Sequence, residues 1–224
     1  MDVRRLVKDR NGGVLLETTV MITIVFTFVL GSVDFLFAFY QWNAAAKAVE
    51  MGARIAAVSA PMTNGLNALS HAVLSSTVSV GAAMPNFTVT CDGNAGTASG
   101  TCSCSGSCSG VTGFNTAAFR DMVYGRGSTS CTDATSPYFA GMCDIFPRVV
   151  QANADVRVVY AQTGLGYAGR CGGPVPTITV SLRNLPFQFF FLGGFLGTAS
   201  INMPGLQTTV SGEDLSSSAP GTSC

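Results

Sequence analysis

The hydrophobic pattern of this chain is dominated by one long apolar segment, which starts at Gly13 and continues to about Tyr40. No charged residue lies between Thr18 and Val33, a stretch that would be about 24 Å long as a helix. Aromatic residues gather at the far end of the segment, at Phe35, Phe37, Phe39, Tyr40 and Trp42. Such a segment is typical of a helix that crosses a membrane and ends at the membrane–water interface. The pattern therefore predicts a transmembrane helix over residues 13–40.

The pattern after Tyr40 is that of an amphipathic helix. Apolar residues recur at three- and four-residue spacing and define one face to be buried, with Ala48, Met51, Ile55 and Val58 as its members. Glu50 and Arg54 stand at the favourable i, i+4 spacing on the polar side. Pro61 and the turn residues that follow it end the pattern. The helix is therefore predicted to continue over residues 41–60.

Residues 61–215 show a different pattern, of short helices and alternating strands. Short helices are predicted over residues 66–74, 114–124 and 136–146. Alternating apolar and polar positions predict strands over residues 86–91, 155–161 and 176–183, and more weakly over 199–210. Residues 92–113 are rich in Gly, Ser and Cys and predict a loop. Because the connections are too short for crossover helices, the strands are predicted to pair in antiparallel fashion.

The charge distribution indicates which way the chain crosses the membrane. Four of its 12 Lys and Arg residues precede the apolar segment, at Arg4, Arg5, Lys8 and Arg10. This bias predicts a cytoplasmic N-terminus and an outer domain on the other side of the membrane. The net charge is zero and no basic patch follows, which argues against nucleic-acid binding.

All eight cysteines follow the apolar segment, at Cys91, Cys102, Cys104, Cys108, Cys131, Cys143, Cys171 and Cys224. An even number in an oxidising compartment predicts a disulfide framework, although the spacing does not fix the pairing. The group at 102–108 does not have zinc-site spacing, and His71 is the only histidine. Disulfides are therefore favoured and no metal site is predicted. The fold class is α+β: a long N-terminal helix packed on a small antiparallel sheet, braced by disulfides, with a flexible tail at 216–224.

Two acidic residues mark the ends of the uncharged segment, and each has two interpretations. A carboxylate at the centre of a membrane helix costs about 3 kcal/mol, so Glu17 is a candidate functional residue. Alternatively, Glu17 is solvated near the cytoplasmic headgroups. Asp34 either pairs with a neighbouring helix or reaches the outer interface.

The stretch Arg10-Asn-Gly-Gly-Val-Leu-Leu-Glu17 and the long helix after it resemble the TadE-like proteins, minor pilins or pseudopilins of the tight-adherence (Flp-type) pilus system. Segments at 155–160, 177–182, 185–191 and 208–214 also carry the resemblance. It implies that a prepilin peptidase cuts the basic leader, residues 1–12, between Gly12 and Gly13. Glu17 would then be the fifth mature residue and would pair with the Gly13 amine of a neighbouring subunit, setting its register. Thr18 stands where such pilins often carry an aromatic residue.

The resemblance also implies a structural function. The protein would be a pilin-like subunit in pilus assembly, anchored once in the bacterial inner membrane with a periplasmic domain. Its partners would be the prepilin peptidase, other minor pilins, the assembly platform and the lipid bilayer. No enzymatic activity and no cofactor are expected. Three alternatives remain open: a membrane-anchored adhesin or binding module, a type II secretion pseudopilin, and an extracytoplasmic enzyme.

Two further segments have more than one interpretation. Residues 164–169 match the glycine pattern of dinucleotide-binding loops, but no acidic residue follows until Glu213, so a flexible turn is predicted. Residues 187–196 hold five phenylalanines. Core packing is the first interpretation of this segment, and contact with the outer leaflet or with another subunit is the alternative. No serine lies in a G-x-S-x-G pattern, and nothing indicates catalytic residues.

Overall fold

The structure, a computed structural model, describes residues 10–131, 140–151, 155–191, 193, 200–212 and 215. The chain divides into two units. We call Met1–Gln41 with Pro186–Ile201 the helical unit, and Trp42–Leu185 with Asn202–Cys224 the sheet unit.

Among the described residues, the predicted helices and strands occur in the expected order, together with four strands that the pattern does not predict. The helices are α1 Arg10–Val58, α2 Leu69–Ala72, α3 Thr116–Tyr124 and α4 Met142–Ile145, with 3-10 turns at Leu66–Ala68 and Pro147–Val150. The strands are β1 Thr63–Asn64, β2 Phe87–Asn94, β3 Ser99–Gly106, β4 Thr112–Phe114, β5 Asp155–Ala161, β6 Thr177–Arg183, β7 Pro186–Gln188, β8 Ser200–Asn202 and β9 Leu206–Ser211. The predicted α+β class, with its long N-terminal helix and antiparallel sheet, is confirmed.

Helix α1 is 49 residues long and has no proline within it. Its hydroxyl side chains donate to carbonyls of the preceding turn, as Thr23 does to Thr19 at 2.8 Å and Thr27 to Thr23 at 2.8 Å, so these polar groups are satisfied inside an apolar helix. The helix ends at Val58, and Pro61 follows it. A proline disfavours helical backbone angles at the residue before it, so helices commonly end at such a point.

The first part of α1 is exposed as well as apolar. Gly13–Val58 has the length and composition to cross a membrane, with a mean hydropathy of 2.2 in a window that is only 6% buried. In a soluble protein, a core helix with this composition would bury most of its apolar side chains. The segment is thus a candidate membrane span.

The sheet unit is built on a five-stranded antiparallel sheet in the order β3-β2-β5-β6-β9. Alternation along β2, β5 and β6 places every second side chain in the core, for example Val89, Val158 and Val180, each fully buried. Asp92 and Arg157 lie opposite each other on β2 and β5 and form an ion pair on the other face.

The last turns of α1 pack into this core through small residues. The buried positions are Ala45, Ala48, Val49, Ala53 and Ala56. The face predicted from the sequence is right in part: Ala48 is buried and Ile55 packs against the core, but Val58 is 66% exposed. Small side chains allow close approach: a Cβ added to Gly52 would lie 2.6 Å from the sulfur of Met142.

The predicted loop over residues 92–113 is also wrong. Ser99–Gly106 forms strand β3, which pairs along its whole length with β2. Gly and Ser have low strand propensity, but eight paired positions and a disulfide to β2 hold this edge strand in place.

The weak strand predicted over residues 199–210 is two strands in different sheets. Strand β8 pairs with β7, and β9 pairs with β6. Pro204 and Gly205 lie between them, and proline interrupts a strand because it has no N–H to donate. Of the helix predicted over 136–146, Met142–Ile145 is helical, while Ser136 and Pro137 lie outside the described residues.

Candidate functional site

The cytoplasmic end predicted for α1 presents Glu17 on an exposed helix surface. Gly13 and Glu17 are one helical turn apart and share a face. Their apolar neighbours are equally open, with Leu15 and Leu16 each 68% exposed. The Glu17 carboxylate is therefore accessible to a group outside its own chain.

The apolar surface continues along α1 on all sides. The side chain of Phe28 is 77% exposed, and that of the neighbouring Val29 is 51% exposed. Met21, Ile22, Val25, Phe26 and Val29 line a shallow apolar groove along the helix. The exposed hydroxyl groups on this part of the helix donate to carbonyls of the helix itself. A long surface of this kind is suited to lipid chains or to the apolar faces of other helices.

Asp34 lies at the other end of the uncharged segment and is fully buried within the helical unit. Its Oδ1 accepts the backbone N–H of Phe190 at 3.0 Å, and its Oδ2 accepts that of Phe191 at 2.9 Å. Hydrogen bonds to a charged acceptor are about twice as strong as neutral ones. The carboxylate therefore ties residues 190–191 to α1, a partner that neither sequence interpretation of Asp34 named.

Aromatic packing supports the same attachment. The ring of Phe37 lies one turn beyond Asp34 and has its centroid 4.7 Å from that of Phe190 and 6.4 Å from that of Phe187. Phe187 is in turn in edge contact with Phe189 at 4.7 Å.

The predicted core packing of residues 187–196 fits only part of the segment. Phe187 is buried, but Phe190 is 67% and Phe191 47% exposed. Leu192 and residues 194–199 lie outside the described residues. The sequence shows both the acid in α1 and the phenylalanine cluster, but it does not show their contact, because Asp34 and Phe190 are 156 positions apart.

The cysteines brace the hairpin of β2 and β3. Cys91 and Cys102 are directly opposite on the two strands and form a disulfide. Cys104 and Cys108 form a second one at the end of β3. Cys171 is also disulfide-bonded, while Cys224 lies outside the described residues.

Cys131 and Cys143 are free thiols in this structure. Burial raises the pKa of both, and most strongly that of Cys143, which is hydrogen-bonded to Cys131. A raised pKa favours the protonated thiol over the thiolate, which is the reactive form. The place of these two residues in the predicted disulfide framework remains a prediction.

The remaining sequence candidates show no further site. Within the described part of the chain, no group of three or more His, Cys, Asp or Glu side chains is arranged to hold a metal ion. The glycine-rich segment 164–169 is a turn between β5 and β6 with positive φ at Gly164, Gly166 and Gly169, and no helix begins there. His71 lies exposed in α2.

The described structure therefore belongs to the class of chains that have one N-terminal candidate membrane helix followed by a disulfide-braced α+β unit. A family model described as TadE-like protein matches residues 12–54. The match covers most of α1 and confirms the predicted resemblance for this segment. That family is related to the Tad pilus, and it is structural and not known as enzymatic. No curated protein and no solved structure matches the chain.

Proposed function

We propose that this protein is a pilin-like structural subunit that takes part in assembly of a tight-adherence (Flp-type) pilus. The observation that carries the proposal is the matched helix itself, α1, whose first part presents Glu17 and a long, exposed, mainly apolar surface. Such a surface requires lipid around it before assembly, and neighbouring helices can replace that lipid afterwards.

The proposed location is the bacterial inner membrane, crossed once by α1. The basic residues before Gly13 favour a cytoplasmic N-terminus. The disulfides Cys91–Cys102 and Cys104–Cys108 favour a periplasmic sheet unit, because disulfides persist in oxidising compartments. The proposed partners are a prepilin peptidase, other minor pilins, the assembly platform and the bilayer.

Glu17 has a defined task in this proposal. Cleavage between Gly12 and Gly13 creates a cationic amine one helical turn, about 6 Å, before the carboxylate. A neighbouring helix shifted along the axis by about that distance brings its Glu17 beside this amine. Since either charge alone is costly in an apolar environment, the pair favours one register over others.

The first test is N-terminal sequencing of the mature protein, with and without the prepilin peptidase in the host. We expect a start at Gly13 that disappears when the peptidase is removed. A start at Met1 in the presence of the peptidase, or at any residue beyond Tyr40, would contradict the processing step.

The second test compares Glu17→Ala with Thr18→Ala. The Thr18 hydroxyl donates to the Val14 carbonyl at 2.9 Å, so its loss removes only a contact internal to the helix. We expect Glu17→Ala to insert in the membrane at the normal level but to abolish pilus assembly, while Thr18→Ala assembles normally. Normal assembly of Glu17→Ala would show that the register role is wrong.

A further inference from the structure

We propose that the phenylalanine-rich segment, Pro186–Phe191, is a second membrane-contacting element that lies in the headgroup region of the outer leaflet and is held there by Asp34. The inference rests on α1 crossing the membrane, which is part of the proposed function. It adds an attachment to lipid that involves a segment far from α1 in sequence.

The position of Asp34 along α1 places the segment near the membrane boundary. Glu17 and Asp34 are 17 residues apart, which is about 26 Å of helix, and the hydrocarbon core of a bilayer is about 30 Å thick. With Glu17 near one boundary, Asp34 is near the other. Phe35 and Tyr40, each 69% exposed, then lie at the depth where aromatic side chains concentrate.

The hydrogen bonds of Asp34 address the main obstacle to placing non-helical backbone at this depth. Backbone N–H groups that leave water without a partner are costly. The N–H groups of Phe190 and Phe191 are each bound to one carboxylate oxygen of Asp34. The same two hydrogen bonds stabilise the Asp34 carboxylate, so Asp34 and the segment can both lie at the membrane–water interface.

The exposed rings of the segment identify lipid as the occupant of this surface. Phe190 and Phe191 are 67% and 47% exposed although their backbone is anchored. Phe190 packs on Phe37 of α1 with ring centroids 4.7 Å apart. The exposed rings are thus continuous with the apolar surface of the candidate membrane span, which is covered by lipid wherever α1 crosses a bilayer.

The experiment measures the depth of single tryptophans by fluorescence quenching in vesicles of brominated phosphatidylcholine. Trp42 is the only tryptophan and is replaced by phenylalanine in the full-length background. Phe190→Trp reports on the segment, with Phe191→Trp as a second reporter. Phe26→Trp is the matched control, since Phe26 is 62% exposed and lies midway between Glu17 and Asp34.

We expect Phe190→Trp to be quenched more by bromines near the headgroups than by bromines near the chain ends, and Phe26→Trp to show the reverse order. If Phe26→Trp is quenched and both segment reporters are not, the inference is wrong while the membrane span stands. If Phe26→Trp is not quenched either, the span itself fails. Emission of Phe190→Trp that shifts with protein density but ignores bromine would assign the segment to contact with another subunit and overturn the proposal.

A second measurement tests the role of Asp34. In Asp34→Asn the neutral side chain loses one acceptor oxygen and the charge, so we expect amide hydrogen exchange at residues 190–191 to accelerate about tenfold or more. Asp92→Asn, which removes an acid from the sheet unit, is the matched control and should leave this exchange unchanged. Equal exchange in Asp34→Asn and the parent protein would contradict the anchoring role.

Discussion

Replacing Tyr160 by phenylalanine tests the contact that holds the chain leaving α1 against the sheet. Tyr160 is fully buried on β5, and its hydroxyl oxygen accepts the backbone N–H of Met62 at 3.1 Å. Met62 is itself 2% exposed, and its carbonyl accepts the N–H of Asn115 at 2.7 Å. One hydroxyl group therefore satisfies a buried donor in the segment that follows the helix.

The phenylalanine variant keeps the ring and its packing but leaves the Met62 N–H without an acceptor. A buried, unsatisfied donor of this kind costs about 1–3 kcal/mol. We expect Tyr160→Phe to lower the free energy of unfolding of the sheet unit by about 2 kcal/mol. The measurement is pulse proteolysis of the full-length protein in detergent micelles across a urea series.

Tyr124→Phe is the matched control. The Tyr124 hydroxyl donates to the carbonyl of Ala95 at 2.6 Å, and Tyr124 is 9% exposed. Losing a donor to a carbonyl costs less than orphaning an N–H, because carbonyls tolerate an unfilled lone pair. We expect a loss of about 1 kcal/mol or less. If Tyr160→Phe is no more destabilising than Tyr124→Phe, the reasoning about the Met62 contact is refuted.

Three further predictions concern the sheet unit. Burial holds the pKa of Tyr160 well above its ordinary value. Its stabilising contribution is therefore complete below about pH 10, where the unfolded tyrosine titrates, and is lost as the pH rises further. In Tyr160→Phe, the free energy of unfolding measured in urea should therefore fall less steeply with pH above about pH 10. The closed loop of Cys91–Cys102 spans 11 residues, so replacing both cysteines by alanine should cost about 3 kcal/mol, and an unchanged urea midpoint would contradict this. Ala53 is fully buried in α1, so Ala53→Leu should cost about 1–3 kcal/mol by overpacking, whereas Ala46→Leu, which is only partly buried, should cost less in the same assay.

Local pattern was sufficient to predict those elements in which one physical effect dominates. The apolar length of α1 and the alternation of β5 and β6 leave no competing structure of similar burial, and their predicted bounds lie close to those of the structure. Strand β3 was missed because Gly, Ser and Cys carry almost no strand preference. Its pairing with β2 across a short turn and the Cys91–Cys102 disulfide supply what propensity lacks.

The buried face of α1 was predicted only in part, since Ala48 is buried but Val58 is not. Met51 and Ile55 are more hydrophobic than alanine. How closely α1 can approach its neighbours depends, however, on the volume of the side chains between them. Ala45, Ala53 and Gly52 allow the helix to approach the core closely, as the position of Met142 against Gly52 shows. A scale of hydrophobicity contains no information on how near two elements must come.

Two of the three carboxylates of α1, Glu17 and Asp34, illustrate how the environment separates residues that look alike in sequence. Both lie at an end of the same uncharged stretch, and both are costly there unless they have a partner. Asp34 finds its partners within the chain, where the Phe190 and Phe191 amides occupy both of its oxygens. Glu17 remains exposed on the helix. Of the two, Glu17 is therefore the carboxylate that can exchange its surroundings for a group on another subunit, whereas a change at Asp34 acts first on the attachment of residues 190–191.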